Sequence, residues 1–350
     1  MSPKLDILIV GAGLSGLAAS IQCALSGHSV TVLESAKELA EVGAGLQLTP
    51  NATRLFQTWG VYDSLKSLVC EPRSLTVYNY KGEILADETD FDTNIRRKYG
   101  APFSDCHRVD LQQALVKRAR ELGVTVVLDA RVTGIDFGNK AGDQAKVMTG
   151  DRVYDADLVV GADGLWSTCR STMLGKRDPP LPTGDLAYRI VLKIDQIKSQ
   201  KLRDMVQNFA CRFWAGPDSH VVAYSMRGGK MYNVVLLVPD DLEEGVARTE
   251  GDLNEMRKFF KGWDPVLTEF LECVDKVDKW KLMHREELPS WINPQSNLVL
   301  IGDSCHPMLP YLAQGQELQG SFPSRWTCPE VQPWLYGYDA FKEVETAIAK

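Results

Sequence analysis

The sequence lacks any apolar run of the length that a membrane-spanning helix requires, so we expect no membrane span. It also lacks an excess of basic residues, because the formal net charge is -7. No positive face is implied that would neutralise phosphates, and we expect no nucleic-acid partner. Internal repeats and low-complexity segments are missing as well. With 44% hydrophobic and 24% charged residues over 350 positions, the composition predicts a globular protein of about two lobes.

Closely spaced cysteines are absent too. The eight cysteines are scattered, so the chain contains neither a CxxC redox pair nor the ligand spacing of a zinc site. We expect no metal site, and we expect most of the thiols to be buried as small hydrophobic groups. The first predicted strand begins at Leu5, too close to the first residue for a charged leader and a cleavage site. These features predict a cytoplasmic protein.

What the sequence does contain is a glycine-rich loop between a strand and a helix near its beginning. Residues 5–10 are apolar and run directly into the pattern Gly-Ala-Gly-Leu-Ser-Gly. Gly11 permits a sharp turn, Gly13 leaves the backbone open to a pyrophosphate, and Gly16 lets the next helix pack against the strand. The N-terminus of that helix favours an anion. The pattern predicts a dinucleotide-binding loop.

A second strand is predicted over residues 29–33, and it ends at Glu34. This is about twenty residues beyond the glycine loop, where an acid that binds ribose is expected. Such an acid suits an adenosine ribose with a free 2'-hydroxyl, so it favours NAD or FAD over NADP as the resident nucleotide. Taken alone, Glu34 is also compatible with an ordinary acid at a strand end.

Two later apolar runs also end in short motifs of glycine and aspartate. Residues 156–161 lead to Asp163-Gly164, with Ser167 and Arg170 at a predicted helix start, and residues 297–301 lead to Gly302-Asp303. Continuous apolar runs of this length predict buried parallel strands. Read alone, Asp163-Gly164 would be a turn in most proteins.

The intervening segments predict a second kind of sheet. Residues 75–86 read as a hairpin, and four stretches between 186 and 238 alternate in part, which favours antiparallel strands followed by helices over 252–263 and 265–274. Residues 41–51 form a small-residue loop that can approach a flat ring, or can serve only as a turn before a helix. Asp110 is predicted to cap a further helix.

As a set, these motifs resemble the single-component flavoprotein aromatic hydroxylases, and within them the salicylate hydroxylase-like group of FAD-dependent monooxygenases. The loop 42–51, the segment 107–111 and the run 302–315 carry the resemblance, together with the glycine loop and Asp163-Gly164. It implies an α/β protein with a glutathione reductase-like Rossmann FAD-binding fold and a mostly antiparallel sheet substrate lobe. The FAD-binding domain would comprise residues 1–75, 105–181 and 290–320. The substrate lobe would comprise 76–104 and 182–289, and residues 321–350 would form an atypical C-terminal tail.

The resemblance also implies roles for particular residues. Expected contacts with FAD are made by Gly11, Gly13 and Gly16 (pyrophosphate), Glu34 (ribose), Ala44 and Gly45 (flavin), Arg108 (phosphate or ribityl), Asp303 (ribityl or pyrophosphate), and Gly315 and Gln316 (flavin). Asp163 would serve both FAD and the pyridine nucleotide. The candidate catalytic residues are Arg189, for a substrate carboxylate or the peroxide, and Tyr224, for the phenol. A structural role is equally compatible with these two strand residues.

The implied activity uses FAD as cofactor and NAD(P)H and O2 as co-substrates. The enzyme would hydroxylate a phenolic or aromatic-acid substrate, with or without decarboxylation, through a flavin C4a-hydroperoxide. NAD(P)H would bind transiently, because the single nucleotide-binding loop is taken by FAD. A salicylate-like acid, a phenolic polyketide intermediate of secondary metabolism and a hydroxylated nicotinic acid all remain open as the small aromatic substrate. The oligomeric state is open as well.

The pattern departs from the family after Gly315, where a small-residue helix is expected at the flavin. Residues 316–326 contain Gly320 and Pro323, which would stop a helix within a turn or two. Residues 334–343 again resemble the end of a family member, so several helices are missing between the two segments. Two alternative readings therefore stand beside the monooxygenase: a truncated, poorly active flavin-binding remnant, and an FAD oxidase or dehydrogenase.

Overall fold

The structure is a computed structural model that describes residues 3–39, 44–308, 333, 336–342 and 346. Strands in these residues are β1 (Asp6–Val10), β2 (Ser29–Leu33), β3 (Gly45–Leu48), β4 (Ser74–Asn79), β5 (Ile84–Glu88), β6 (Ser104–His107), β7 (Thr125–Val127), β8 (Gly134–Asp136), β9 (Ala145–Thr149), β10 (Arg152–Ala156), β11 (Leu158–Gly161), β12 (Leu181–Lys193), β13 (Ala210–Gly216), β14 (Ser219–Met226), β15 (Met231–Pro239), β16 (Arg248–Glu250), β17 (Asp278–His284) and β18 (Leu298–Leu300). The α-helices are α1 (Leu14–Leu25), α2 (Pro50–Thr58), α3 (Tyr62–Leu65), α4 (Phe91–Tyr99), α5 (Arg108–Glu121), α6 (Thr168–Leu174), α7 (Gln200–Gln207), α8 (Leu253–Phe259) and α9 (Pro265–Glu272).

A parallel sheet forms the first layer, in the order β18-β11-β1-β2-β7. Its central strand β1 is buried on both sides: Ile7 and Ile9 pack in the cluster that contains α1 and α5, and Leu8 and Val10 pack in the cluster on the opposite face. This two-sided burial is the physical reason why β1 is apolar at successive positions instead of alternating. The small antiparallel sheet β10-β9-β8 contributes to the second cluster.

A larger sheet has the order β16-β17-β12-β15-β14-β13-β4-β5. Every neighbouring pair in it is antiparallel except β13 with β4, so the mostly antiparallel sheet expected from the sequence is present. Helices α7, α8 and α9 contribute to the hydrophobic cluster on one face. The pairs Tyr224 with Asn233 and Arg189 with Val235 put these four side chains on the opposite face, because side chains alternate along each strand.

Two local predictions differ from the structure. Helix α5 begins at Arg108 with His107 as its N-cap residue, so Asp110 lies in the first turn and is not the N-cap. Its carboxylate instead pairs with Arg227, with Oδ1 and Nη2 at 2.7 Å, a long-range contact that a local pattern cannot reveal. Helix α7 is not predicted by the sequence pattern, because only Leu202 and Val206 in this short polar segment are buried.

Among the described residues, none of the helices combines the length and the apolar character needed to cross a bilayer. The same residues contain no group of three or more His, Cys, Asp and Glu side chains that could hold a metal ion.

Candidate cofactor and substrate site

The glycine loop after β1 brings the start of α1 against the end of β11. Gly11 has a positive φ of 105°, and a Cβ there would overlap the carbonyl oxygen of Ala162. A Cβ on Gly16 would overlap the carbonyl oxygen of Gly11. Glycine is therefore required at both positions by the protein itself, for the turn and for the close helix packing that the sequence predicts.

Gly13 is different, because no atom of the described residues lies within 4 Å of the Cβ position. It is the N-cap residue of α1, it provides no side-chain cap for this helix, and the first turn contains no acidic residue. The positive end of the helix dipole therefore faces open space, without a balancing charge in its own first turn. This arrangement fits the phosphates of a dinucleotide.

The first cavity, of about 350 Å³, lies at the carboxyl ends of β1, β2, β7 and β11. Its lining includes Gly11, Gly13, Glu34, Arg108, Arg131, Asp163, Gly164 and Trp166. Ligands of open parallel sheets bind at this edge. Sequence reasoning missed Arg131 and Trp166. Their positions shortly after β7 and β11 are the signal that could have found them.

Glu34 lies at the end of β2, as expected, and its carboxylate already has partners in the protein. Oε2 accepts a hydrogen bond from the backbone N–H of Ala12 at 2.8 Å, and Oε1 accepts one from Ala36 at 2.8 Å. Glu34 therefore holds the glycine loop in place besides lining the cavity. Its contact with a ribose remains a prediction.

Asp163 begins a connected set of hydrogen bonds around the start of α6. Its carboxylate accepts from the hydroxyl of Ser167 at 2.5 Å, from the backbone of Thr168 at 2.7 Å and from that of Cys169 at 2.9 Å. Ser167 in turn accepts from the backbone of Arg170, which makes it the N-cap residue. Asp163 thus fixes the turn beside Gly164, and its contact with a cofactor remains a prediction.

Buried contacts join this turn to the second glycine and aspartate motif. The guanidinium of Arg170 is fully buried, donating through Nη1 to the carbonyl oxygen of Cys305 at 3.0 Å and through Nε to Asp178 at 2.6 Å. The hydroxyl of Ser304 donates to the carbonyl oxygen of Gly161 at 2.7 Å. Two motifs that are far apart in sequence are therefore held together at one edge of the parallel sheet.

Asp303 lies between Gly302 and Ser304 and remains accessible to solvent. Neighbouring protein atoms partly desolvate its carboxyl group, which raises its pKa. The positive charges of Arg108 and His306 oppose this shift. The backbone N–H of Arg108 donates to the carbonyl oxygen of Ala44 at 2.9 Å. The start of α5 therefore joins the first cavity to the segment that precedes β3.

That segment meets the face of the larger sheet at Gly45. Its backbone N–H donates to Oδ1 of Asn233 at 2.9 Å, and a Cβ on Gly45 would lie 2.6 Å from the hydroxyl oxygen of Tyr224. Burial raises the pKa of Tyr224 well above its ordinary value, so the phenol stays protonated. Position 45 therefore requires glycine, because Tyr224 of the distant strand β14 approaches its backbone closely. Asn233 was missed by sequence reasoning, because its partner lies 188 residues away.

Arg189 lies on the same face, beside a second cavity of about 550 Å³ whose lining includes Ala44, Val191, Asp278 and Trp280. Burial lowers the pKa of Arg189, and the charges of Arg108 and Arg248 lower it further, against an opposing effect of Tyr224. The structure therefore brings Arg189 and Tyr224 to one face near Ala44 and Gly45. Gly315 and Gln316, with most of the predicted tail, lie outside the described residues.

A buried acid next to this face was also not singled out from the sequence. Asp105 on β6 is 1% exposed and accepts a hydrogen bond from Nε2 of Gln47 at 3.1 Å. Burial raises its pKa well above the ordinary range, and the hydrogen bond from Gln47 opposes the shift only in part. Strand β6, which carries Asp105, packs against β14, which carries Tyr224, and a negative charge on Asp105 would raise the pKa of Tyr224 further.

The site thus combines a glycine loop on a parallel sheet with a cavity on a second sheet, and Arg189 lines that cavity. This arrangement is typical of a protein that uses a nucleotide cofactor. The family model described as an FAD binding domain matches residues 4–318, and the chain belongs to this family.

Similar proteins agree with this assignment. The chain is 41% identical to FAD-dependent monooxygenase OpS4 of Beauveria bassiana, with 99% of the chain and 97% of OpS4 covered. It is 30% identical to 3-hydroxybenzoate 6-hydroxylase of Polaromonas naphthalenivorans, with 89% and 75% covered. The fold is similar to that of CtdE, solved in complex with FAD and a substrate, with a TM-score of 0.79, 22% identity and 89% and 77% coverage.

These findings confirm the α/β FAD-binding fold, and the chain is an FAD-dependent monooxygenase of the aromatic hydroxylase type. The alignment with OpS4 spans 422 positions, more than the 350 residues of the chain. At least 72 aligned positions of OpS4 therefore have no counterpart here. That they fall after residue 315, where the sequence pattern departs from the family, stays a prediction.

Proposed function

We propose that the enzyme uses NAD(P)H and O2 to hydroxylate a phenolic substrate that carries an anionic group, such as an aromatic acid. The observation that carries this proposal is Arg189, a guanidinium beside a cavity that also contacts Ala44, on the same sheet face as Tyr224. When bound, FAD supplies the redox chemistry by accepting a hydride from the nicotinamide and passing electrons to oxygen.

On the cofactor side, the open start of α1 at Gly13 would hold the pyrophosphate, and Glu34 would accept hydrogen bonds from the adenosine ribose. Arg108 would neutralise a phosphate or contact the ribityl chain, close to Asp303. Arg108 lines the first cavity and Ala44 lines the second, and the backbone hydrogen bond between them makes the two cavities neighbours. This supports a ligand that extends from the glycine loop to the face of the larger sheet.

On the substrate side, Arg189 would bind the anionic group, and the hydroxyl of Tyr224 would contact the phenol. Tyr224 is buried and its raised pKa keeps it protonated, so it can donate a hydrogen bond to a phenolate oxygen without itself losing a proton. The name of the 3-hydroxybenzoate 6-hydroxylase relative supports a hydroxylated aromatic acid as the substrate class. Whether decarboxylation accompanies hydroxylation depends on the position that is attacked.

The test is a panel of phenols and phenolic acids scored by NAD(P)H consumption and by product mass under ¹⁸O₂. We expect one labelled oxygen atom in the product, and loss of carbon dioxide would reveal decarboxylation. Arg189→Leu should keep the protein yellow while hydroxylation falls, because Arg189 lines the second cavity and is not part of the lining of the first. Unlabelled product would instead identify an FAD oxidase or dehydrogenase, and loss of flavin from Arg189→Leu would assign a structural role to Arg189.

The missing 72 aligned positions favour a second candidate, a flavin-binding form with little productive turnover. Residues that we assign to the pyrophosphate and ribose lie before residue 304, so FAD would still dock, and NAD(P)H oxidation would release hydrogen peroxide instead of product. A purified chain that stays colourless after FAD is added would exclude even this form.

A further inference from the structure

Three side chains from neighbouring strands form a stack beside the second cavity. The Cζ atom of Arg189 lies 4.8 Å from the ring centre of Trp280, and the Cζ atom of Arg248 lies 4.4 Å from it. The strand register explains the arrangement, because Trp280 on β17 pairs with Arg248 on β16 and with Ala187 on β12. Since Ala187 is small, the indole has room to reach Arg189, two residues along β12.

In this stack the side chain of Arg248 has an ion-pair partner, whereas the side chain of Arg189 has none among the described residues. Arg248 pairs through Nη2 with Oδ2 of Asp278 at 3.0 Å. Within the described residues, the side chain of Arg189 forms no hydrogen bond or ion pair. Its Nε atom is buried without a partner, and Nε1 of Trp280 is buried without one too. Unpartnered buried donors are costly, and among the described residues the contact with the indole is the one specific interaction of the Arg189 guanidinium.

The charges around the Arg189 guanidinium favour the binding of an anion. The pKa of Arg189 is lowered first by burial and then by the charges of Arg108 and Arg248, while Tyr224 acts in the opposite direction. Asp278, the acid paired across the strands with Arg189, is already engaged by Arg248. An arginine has several rotatable bonds, and an aromatic surface restricts them before the ligand arrives.

We propose that Trp280 is a positioning residue that holds the guanidinium of Arg189 at the wall of the second cavity, with Arg248 bracing the indole from the neighbouring strand. This inference rests on the proposed function, because it takes the ligand of Arg189 to be the anionic group of the substrate. Trp280 therefore contributes to the preference for an acid over a neutral phenol by acting through Arg189.

The test is a double-mutant cycle measured by calorimetry on the FAD-loaded chain, with 3-hydroxybenzoate and its neutral analogue 3-hydroxybenzamide as probes. Trp280→Leu should weaken binding of the acid by about 2- to 30-fold, the range expected for a lost cation–π contact, and should leave amide binding nearly unchanged. Trp280→Phe should retain most of the acid affinity because it keeps an aromatic face. In the Arg189→Leu background, Trp280→Leu should have no further effect, since a residue that acts through another is coupled to it.

Trp214→Phe provides a matched control on the opposite face of the same sheet, where Nε1 of Trp214 donates to Asp264 at 2.7 Å. This variant should keep the preference for the acid even if it lowers the unfolding temperature. Equal loss of acid and amide binding in Trp280→Leu, additive effects in the cycle, or a wild-type chain that does not bind the acid more tightly would overturn the proposal. A cycle that shows coupling in a chain that makes no labelled product would refute the hydroxylase function alone.

Discussion

Replacement of Gly13 by alanine should weaken FAD binding while the glycine loop still folds. Gly13 has φ of -70° and ψ of 178°, a conformation that alanine adopts without strain, and a Cβ there meets no atom of the described residues within 4 Å. The apoprotein should therefore accept the methyl group. At an N-cap position alanine is poorer than glycine, but it also reduces the entropy of the unfolded chain, so the free energy of unfolding should change by less than about 1 kcal/mol.

FAD binding should respond much more strongly. The added methyl group would occupy the space in front of α1, where we place the pyrophosphate, and would hold the phosphate off the backbone N–H groups. Loss of one hydrogen bond to a charged group costs about 1.5–3 kcal/mol. This corresponds to FAD affinity that is about 10- to 150-fold weaker.

The assay is titration of FAD into apoprotein, followed by quenching of flavin fluorescence, alongside thermal unfolding without FAD. Gly337→Ala is a matched control, because its Cβ also meets no described atom within 4 Å and it lies far along the chain. Gly16→Ala is the opposite control: its Cβ would overlap the Gly11 carbonyl oxygen, so it should destabilise the apoprotein by about 1–3 kcal/mol. An unchanged FAD affinity in Gly13→Ala would refute the assignment of this loop to the pyrophosphate.

Other changes test the ribose contact, the buried acid and the missing segment. Glu34→Ala should weaken FAD binding by about 1.5–3 kcal/mol through loss of a charged acceptor, and unchanged flavin occupancy on titration would defeat the ribose assignment. Asp105→Asn should stabilise the protein at neutral pH. The pKa of Asp105 is raised in the folded protein, so the folded protein holds this proton more tightly than the unfolded chain does. The resulting stabilisation is fully present below the ordinary pKa of aspartate and is lost as the pH rises through the raised pKa. The loss is about 1.4 kcal/mol for each pH unit between the ordinary and the raised pKa. Urea unfolding between about pH 5 and 8 measures this loss, and a variant with the same pH dependence as the wild type would contradict it. Finally, the chain should consume several NAD(P)H molecules per product formed. Insertion after residue 315 of the OpS4 residues that align there without a counterpart should raise both the product yield and the unfolding temperature. A yield already near one product per NAD(P)H would show that the segment is dispensable.

The features that the sequence predicts correctly are those whose cause is local. Gly11, Gly13 and Gly16 lie within six positions of each other, and a turn, an open helix start and a close helix packing each demand a particular residue at a particular offset. The strand Ser29–Leu33 and the helix start at Ser167 likewise follow from neighbouring residues. Where the deciding partner is distant, as for Asp110 and Arg227, the local prediction of an N-cap is wrong.

The sequence by itself therefore determined that a strand, a glycine loop and a helix follow one another with a sharp turn between them, since these depend on backbone conformation over a few residues. The tertiary structure alone decided which distant residues meet at the face of the larger sheet. Gly45 meets Asn233 and Tyr224 through the folding of a loop onto a distant sheet. Arg189 acquires its stacking contact with Trp280 only because β12 and β17 pair with Ala187 opposite the indole. Strand register depends on the packing of whole sheets and not on neighbouring residues, and it determines which side chains line the second cavity.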